Sequence, residues 1–156
     1  MEVRLATERD LADLVSLQHE VQDLHIAADP TFYRTASEAE LFKEMREFLA
    51  APGNAVWIAM VDGVLAGFLA LKLANVPETT FCHARQEALI DDLVVAERFR
   101  RQGVGRALVA AAEQYAVNNG CGLLRLFVLA SNTAAREFYG ALQFAPLFEA
   151  WHKQLR

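Results

Sequence analysis

Ala88-Leu89-Ile90-Asp91-Asp92-Leu93-Val94-Val95, followed past Phe99 by Arg100-Arg101-Gln102-Gly103-Val104-Gly105, is the stretch on which the fold reading turns. An apolar, strand-like run enters a loop with two glycines, and an amphipathic helix pattern follows from Gly103 to Asn119. A loop passing from a strand into a helix N-terminus gathers unpaired backbone N–H groups and the positive end of the helix dipole at one place. Gly103 and Gly105 carry no Cβ, so phosphates can come close to the backbone there. Arg100, Arg101 and Arg106 add full positive charges around Gln102 and Val104. The stretch predicts a pyrophosphate seat. It lacks the Gly-Lys-Ser or Gly-Lys-Thr ending of a P-loop, and Leu108 breaks the G-x-G-x-x-G pattern.

Outward from this unit, Val3 to Ala6 reads as a short strand and Thr7-Glu8-Arg9-Asp10 as a capping-box helix start. Leu14, Leu17, Val21 and Leu24 give the stripe of a first helix that stops near Asp29-Pro30. Ser37-Glu38-Ala39-Glu40 is a second capping box, and Leu41, Met45, Phe48 and Leu49 line a second helix ending at Pro52-Gly53. Ala55 to Val61, the turn Asp62-Gly63, and Val64 to Leu73 predict a β-hairpin. Asn75 to Arg85 reads as a loop, open to strand extension at its end, and Ala88 to Val95 as the central strand. The third helix runs from Val104 to Asn119 and closes on Gly120 through a left-handed cap. Leu123 to Leu129 is a buried strand, Asn132 to Leu142 a short helix, and Phe144 to Gln154 a closing strand. The order β-α-α-β-β-β-α-β-α-β predicts an α/β fold with a mixed central sheet and helices on both faces.

The 156 residues fit one domain, residues 1–156, and 54% hydrophobic with 22% charged residues is the composition of a packed core. A net charge of −5 leaves no basic surplus for general nucleic-acid binding. No apolar run approaches the ~18 residues that span a bilayer, so no membrane partner is expected. Met1 to Leu5 lacks the apolar core of a secretory signal, and Cys82 and Cys121 read as reduced thiols; together these predict a cytoplasmic protein. His19, His83 and His152 form no ligand constellation, and no metal is expected.

Asp91 and Asp92 stand in an otherwise apolar strand, where side-chain alternation sends them to opposite faces. Unpaired buried carboxylates are costly, so each must meet a partner, such as Arg85 or Arg125, or line a wet cleft. In a cleft they suit one chemistry. An acceptor amine, with a pKa near ~10, arrives as an ammonium, and a carboxylate both attracts it and takes its proton.

The Arg-x-x-Gly-x-Gly loop at Arg100 to Gly105, joined to Asn132-Thr133-Ala134-Ala135-Arg136-Glu137-Phe138-Tyr139, resembles the GNAT superfamily of acyl-CoA-dependent N-acetyltransferases. The likeness is loose over the first third and close from Ala88 to Phe144. It implies acetyl-CoA as acyl donor, with its pyrophosphate at Arg100 to Arg106 and its pantetheine arm along the backbone of Leu93, Val94 and Val95. It also implies cofactor contacts from Asn132, which caps the last helix, and from Ala135 and Tyr139 on it. By the same resemblance Tyr139 is the general acid for the departing thiol. Asp91 is the first candidate for the base and Asp92 the second. His25, Asp29, Phe32 and Tyr33 fall in the connection that roofs the acceptor site in relatives, and with Asp91 they are the candidate substrate residues; a lone helix-end histidine is otherwise a dipole partner. Two positions depart from the family pattern. Arg101 replaces a common glycine, which the loop tolerates while φ stays negative. Gln143 replaces another and must enter a left-handed cap or end the helix differently.

The resulting expectation is transfer of an acetyl group from acetyl-CoA to a primary amine, on a cationic small molecule, by direct attack in a ternary complex. A peptide α-amine is the alternative within the enzyme class, and a non-catalytic acyl-CoA sensor the alternative outside it. By analogy with the fold the chain is expected to form a homodimer.

Overall fold

The computed structural model describes residues 1–153, the side chains of Glu20, Val21, Leu24 and Ala28 excepted. The predicted stripe positions Val21 and Leu24, and the predicted strand end at Gln154, therefore lie outside the described residues. Five strands form one sheet in the order β1 (Glu2–Leu5), β2 (Asn54–Val61), β3 (Val64–Val76), β4 (Arg85–Val95), β5 (Leu123–Leu126). The first three pairings are antiparallel and β4–β5 is parallel. Asp62 and Gly63 turn the β2–β3 hairpin with φ of 51° and 77°, the two left-handed residues that a two-residue hairpin turn requires.

Helices α1 (Leu11–Ala28) and α2 (Glu38–Ala50) cover one face of the sheet. Helices α3 (Val104–Asn118) and α4 (Thr133–Ala141) cover the other. Strand alternation divides the core between them: Val56, Ile58, Phe68, Ala70 and Val94 pack under α1 and α2. Trp57, Leu69, Leu71, Ala88 and Ile90 pack under α3. The Ser37 box forms as expected: Glu40 N donates to Ser37 Oγ (3.3 Å) and Ser37 N donates to Glu40 Oε2 (2.8 Å). The Thr7 box opens a 3₁₀ turn, Glu8–Asp10, ahead of α1. There Arg4 grips the Asp10 carboxylate through both guanidinium nitrogens (2.9 and 2.7 Å), and this, with the Thr7 hydrogen bonds, holds the acid far below its ordinary range.

Three boundaries depart from the expected ones. β3 and β4 extend each other into the region read as a loop, pairing out to Val76 and Arg85. β5 ends at Leu126, leaving Phe127 and Val128 exposed beyond it. The closing strand expected from Phe144 is not formed over residues 144–153, where Leu147, Phe148 and Trp151 are exposed. Its apolar residues supply the faces of a strand, but a strand also needs a neighbouring edge for its N–H and C=O groups, and β5 offers a short one.

Candidate active site

β4 carries one residue more than its neighbour accommodates. Ile90 stands opposite Leu71 and Asp92 opposite Ala70, so Asp91 is the surplus residue of a β-bulge. A bulge breaks alternation, which corrects the expectation that the two acids face opposite ways: both turn toward the α1–α2 side. Asp91 meets Lys72 Nζ at 2.7 Å, and that ammonium lies over the Phe48 ring of α2. Asp92 faces Gln18 and His25 of α1 and Glu44 of α2. Withdrawal from water raises its pKa first and the neighbouring Asp91 charge second, while Gln18 and His25 act in the opposite direction. Arg85 and Arg125, the expected partners of these acids, instead hold Glu87, the buried carboxylate of the core, at 3.1 and 3.3 Å.

The bulge also marks where β4 parts from β5. The parallel ladder covers Glu87 to Ile90 and stops there. Leu93, Val94 and Val95 keep their pairing to β3 and, among the described residues, have no partner in β5. An open strand edge of this kind suits a ligand built of amides.

The loop after β4 lies at the same end of the sheet. Gly103 has φ 85° with open space where a Cβ would stand, so its conformation, not crowding, demands glycine. Arg101 also adopts a left-handed φ of 63°, so the condition of a negative φ, on which tolerance of a non-glycine there depends, is not met. Successive turns of this kind bend neighbouring N–H groups into one concavity that binds anions. The first capping bond of α3, Ala107 N to Gly103 O at 3.0 Å, leaves the amides of Val104, Gly105 and Arg106 without helical acceptors. Arg100 is steered by its Nε donating to Val95 O (3.2 Å), and Gln102 Nε2 donates to Arg98 O (2.8 Å). Gly105 is glycine for another reason: a Cβ there would sit 3.1 Å from Phe138 Cζ of α4. The two motif segments thus touch.

Asn132 caps α4 as expected, its Oδ1 accepting from Ala135 N at 3.0 Å. Gln143 takes the left-handed position at the other end, with φ 67°. Between these ends the Tyr139 ring meets Phe138 and Phe144 edge-on, at 5.1 and 5.5 Å between centroids. Burial, and after it the charge of Asp92, pushes the Tyr139 hydroxyl up to about 12. Tyr139 and Asp92 therefore come from opposite faces of the sheet, and the Asp92 charge reaches the Tyr139 hydroxyl near the parting of β4 and β5.

Of the candidate acceptor residues, His25 stacks on Tyr33 (5.2 Å), with Phe32 edge-on to Tyr33. Asp29 spends its Oδ1 on Thr31 N, Thr31 Oγ1 and Phe32 N, closing the turn after α1. His25 joins the surroundings of Asp92; Asp29 serves the loop that carries Tyr33. Sequence reading missed Gln18, one polar residue on a helix that is read by its apolar stripe. Among the described residues no helix is long and apolar enough to cross a membrane, and no cluster of three or more His, Cys, Asp or Glu is placed to hold a metal.

Comparison with known proteins agrees with this fold. Residues 19–144 match the model of the acetyltransferase (GNAT) family. The chain is 28% identical over 133 residues to an aminoglycoside N(6')-acetyltransferase type 1 of Serratia marcescens, covering 85% of this chain and 90% of that protein. The fold superposes on a mutant of the BH1408 protein from Bacillus halodurans with a TM-score of 0.95 at 20% identity, over 100% of both chains. It superposes with a TM-score of 0.78 at 23% identity on AAC(6')-Iy in complex with the bisubstrate analogue CoA-S-monomethyl-acetylneamine, over 99% of this chain and 97% of that one.

Proposed function

The chain belongs to the acetyltransferase (GNAT) family, and on that premise we propose that it moves the acetyl group of acetyl-CoA to a primary amine of a cationic small molecule, by direct attack in a ternary complex. One observation carries the reading: the buried Tyr139 hydroxyl lies within reach of the Asp92 charge at the open end of β4, beside the phosphate loop. Acetyl-CoA supplies an activated thioester. The left-handed turns at Arg101 and Gly103, the free amides of Val104 to Arg106, and the guanidinium groups of Arg100, Arg101 and Arg106 would hold its diphosphate. The open edge at Leu93 to Val95 would hold its amide-bearing arm.

Asp92, rather than Asp91, is the base in this reading. Asp91 is already ion-paired with Lys72, whereas Asp92 makes no ion pair among the described residues and has a raised proton affinity, which suits a group that must accept a proton near neutral pH. Tyr139 stays protonated at neutral pH and keeps its hydroxyl hydrogen for the departing sulfur. Asp91, Asp92 and Glu44 on the α1–α2 side favour a cationic acceptor. The Serratia relative, named for an aminoglycoside, supports a small-molecule one. The test is release of free thiol from acetyl-CoA with a panel of polyamines, amino sugars and peptides. Release with the cationic small amines is expected. Calorimetric binding of acetyl-CoA without release from any of them would instead favour a sensor.

The reading includes a homodimer. β5 is an edge strand with Phe127 and Val128 exposed beside it, and Leu147, Phe148 and the 89%-exposed Trp151 line an extended tail. An open edge and an unpaired apolar tail on one chain are complementary needs that a two-fold pair of copies meets at once. Sedimentation equilibrium should give twice the 17.3 kDa chain mass, and a dimer weakened by Trp151→Ser; a monomer at micromolar concentration would discard it.

A further inference from the structure

Lys72 stands on the α1–α2 side of β3, and its ammonium is held from two directions. Nζ donates to Asp91 Oδ1 at 2.7 Å. The same Nζ lies over the Phe48 ring of α2, 5.2 Å from its centroid. Asn54, opposite Lys72 in the β2–β3 ladder, donates from Nδ2 to Phe48 O at 3.1 Å and so ties the end of α2 to the sheet at this point. A carboxylate on one side and an aromatic face on the other make a built site for an ammonium ion. The bulge supplies the carboxylate, because regular alternation would send Asp91 to the α3 side.

As a stabilising contact the pair has little to offer. Its side chains are partly exposed, 42% for Lys72 and 33% for Asp91, and ion pairs in that setting contribute little once solvent screens them. What the pair does is occupy a place. Asp91 and Asp92 follow one another in the chain, about 3.8 Å apart at Cα, and both turn to the α1–α2 side. An ammonium at Asp91 therefore sits beside the amine that Asp92 would deprotonate. We propose that Lys72 is a specificity-determining residue: its ammonium fills, from within the chain, a subsite of Asp91 and the Phe48 ring that would otherwise take a second ammonium of the acceptor.

A tethered group keeps such a site against free competitors, because the chain holds it there at high effective concentration. Lys72 also repels a like charge brought near it, and specificity gains as much from repulsion as from attraction. The enzyme therefore favours acceptors with a single ammonium at the reacting end over short diamines. The inference rests on the reading of Asp92 as the place of the reacting amine.

The test compares 1,4-diaminobutane with butylamine as acceptors for the wild type and for Lys72→Met, which keeps an unbranched side chain over Phe48 and removes the charge. The ratio of kcat/KM for the diamine to that for the monoamine should rise about tenfold in the variant, the worth of one ammonium contact with a carboxylate and a ring at a partly exposed site. The rise should lie in KM for the diamine, because the second ammonium is bound alike before and during the reaction. A purely structural Lys72 would shift both amines together and leave the ratio fixed. Adding Asp91→Asn to Lys72→Met should abolish the gain, and Lys72→Gln serves if the methionine variant does not fold. A ratio unmoved in the folded variants, or a gain that survives Asp91→Asn, overturns the role of Lys72. Calorimetry with 1,4-diaminobutane reads the subsite without turnover. Tighter binding to Lys72→Met than to the wild type, with no thiol released by any amine, upholds the subsite and overturns the acetyl-transfer reading instead.

Discussion

Asp92→Asn is expected to lower kcat/KM for the amine by about 10²- to 10⁴-fold, the usual worth of a positioned general base. Affinity for acetyl-CoA, measured by calorimetry, should change little, because the diphosphate seat and the open edge of β4 use other residues. The acid limb of the wild-type profile should lie above the ordinary aspartate value of about 3.9, since burial and the Asp91 charge raise the proton affinity of Asp92. The limb should vanish in the variant. Stability should move the opposite way to activity. The folded chain keeps the Asp92 proton at pH values where the unfolded chain has lost it, so this group's contribution to stability falls as pH rises from about 4 through its folded value. Asparagine has no proton to lose and no charge to bury. The variant should therefore melt at or above the wild-type temperature at neutral pH, which separates lost chemistry from lost fold. A fully active Asp92→Asn enzyme would move the base to water or to another residue.

Tyr139→Phe is expected to lower kcat by about 10- to 100-fold, below the full range for acid catalysis because a thiol with a pKa near 8.5 leaves readily. The phenylalanine ring keeps the edge contacts with Phe138 and Phe144, so the melting temperature should scarcely move. Because the hydroxyl is pushed up to about 12, Tyr139 does not titrate in the working range, and any basic limb between pH 8 and 10 should persist in the variant. Stopped-flow detection of free thiol gives the rate directly. Full retained activity would reduce Tyr139 to a packing residue.

Much of this arrangement can be read from residues whose structural demand is local. Asp62-Gly63 makes its hairpin turn, Ser37 and Asn132 cap their helices, and the glycines of the loop open α3 where expected. Other features depend on contacts between segments remote in sequence. The bulge at Asp91 exists only in relation to β3, so alternation read along β4 alone sends the two acids to opposite sides. Gly105 looks like room for a ligand until Phe138 arrives from α4. Arg85 and Arg125 look available to Asp91 and Asp92 until Glu87 is seen buried between them. The tail from Phe144 has the composition of a strand, but pairing belongs to the edge it meets. Gln18 is silent in sequence because Asp92, the acid it influences, stands on another element.

The surplus residue in β4 links two properties that a regular ladder would keep separate. The same one-residue dislocation unzips the neighbouring strand and swings a second acid onto the flank where the first already sits. No glycine or proline makes the break; an aspartate does, and Lys72 pairs with it. The sheet is thus parted with Asp91 held by Lys72, and of this adjacent pair Asp92 is the one that makes no ion pair among the described residues.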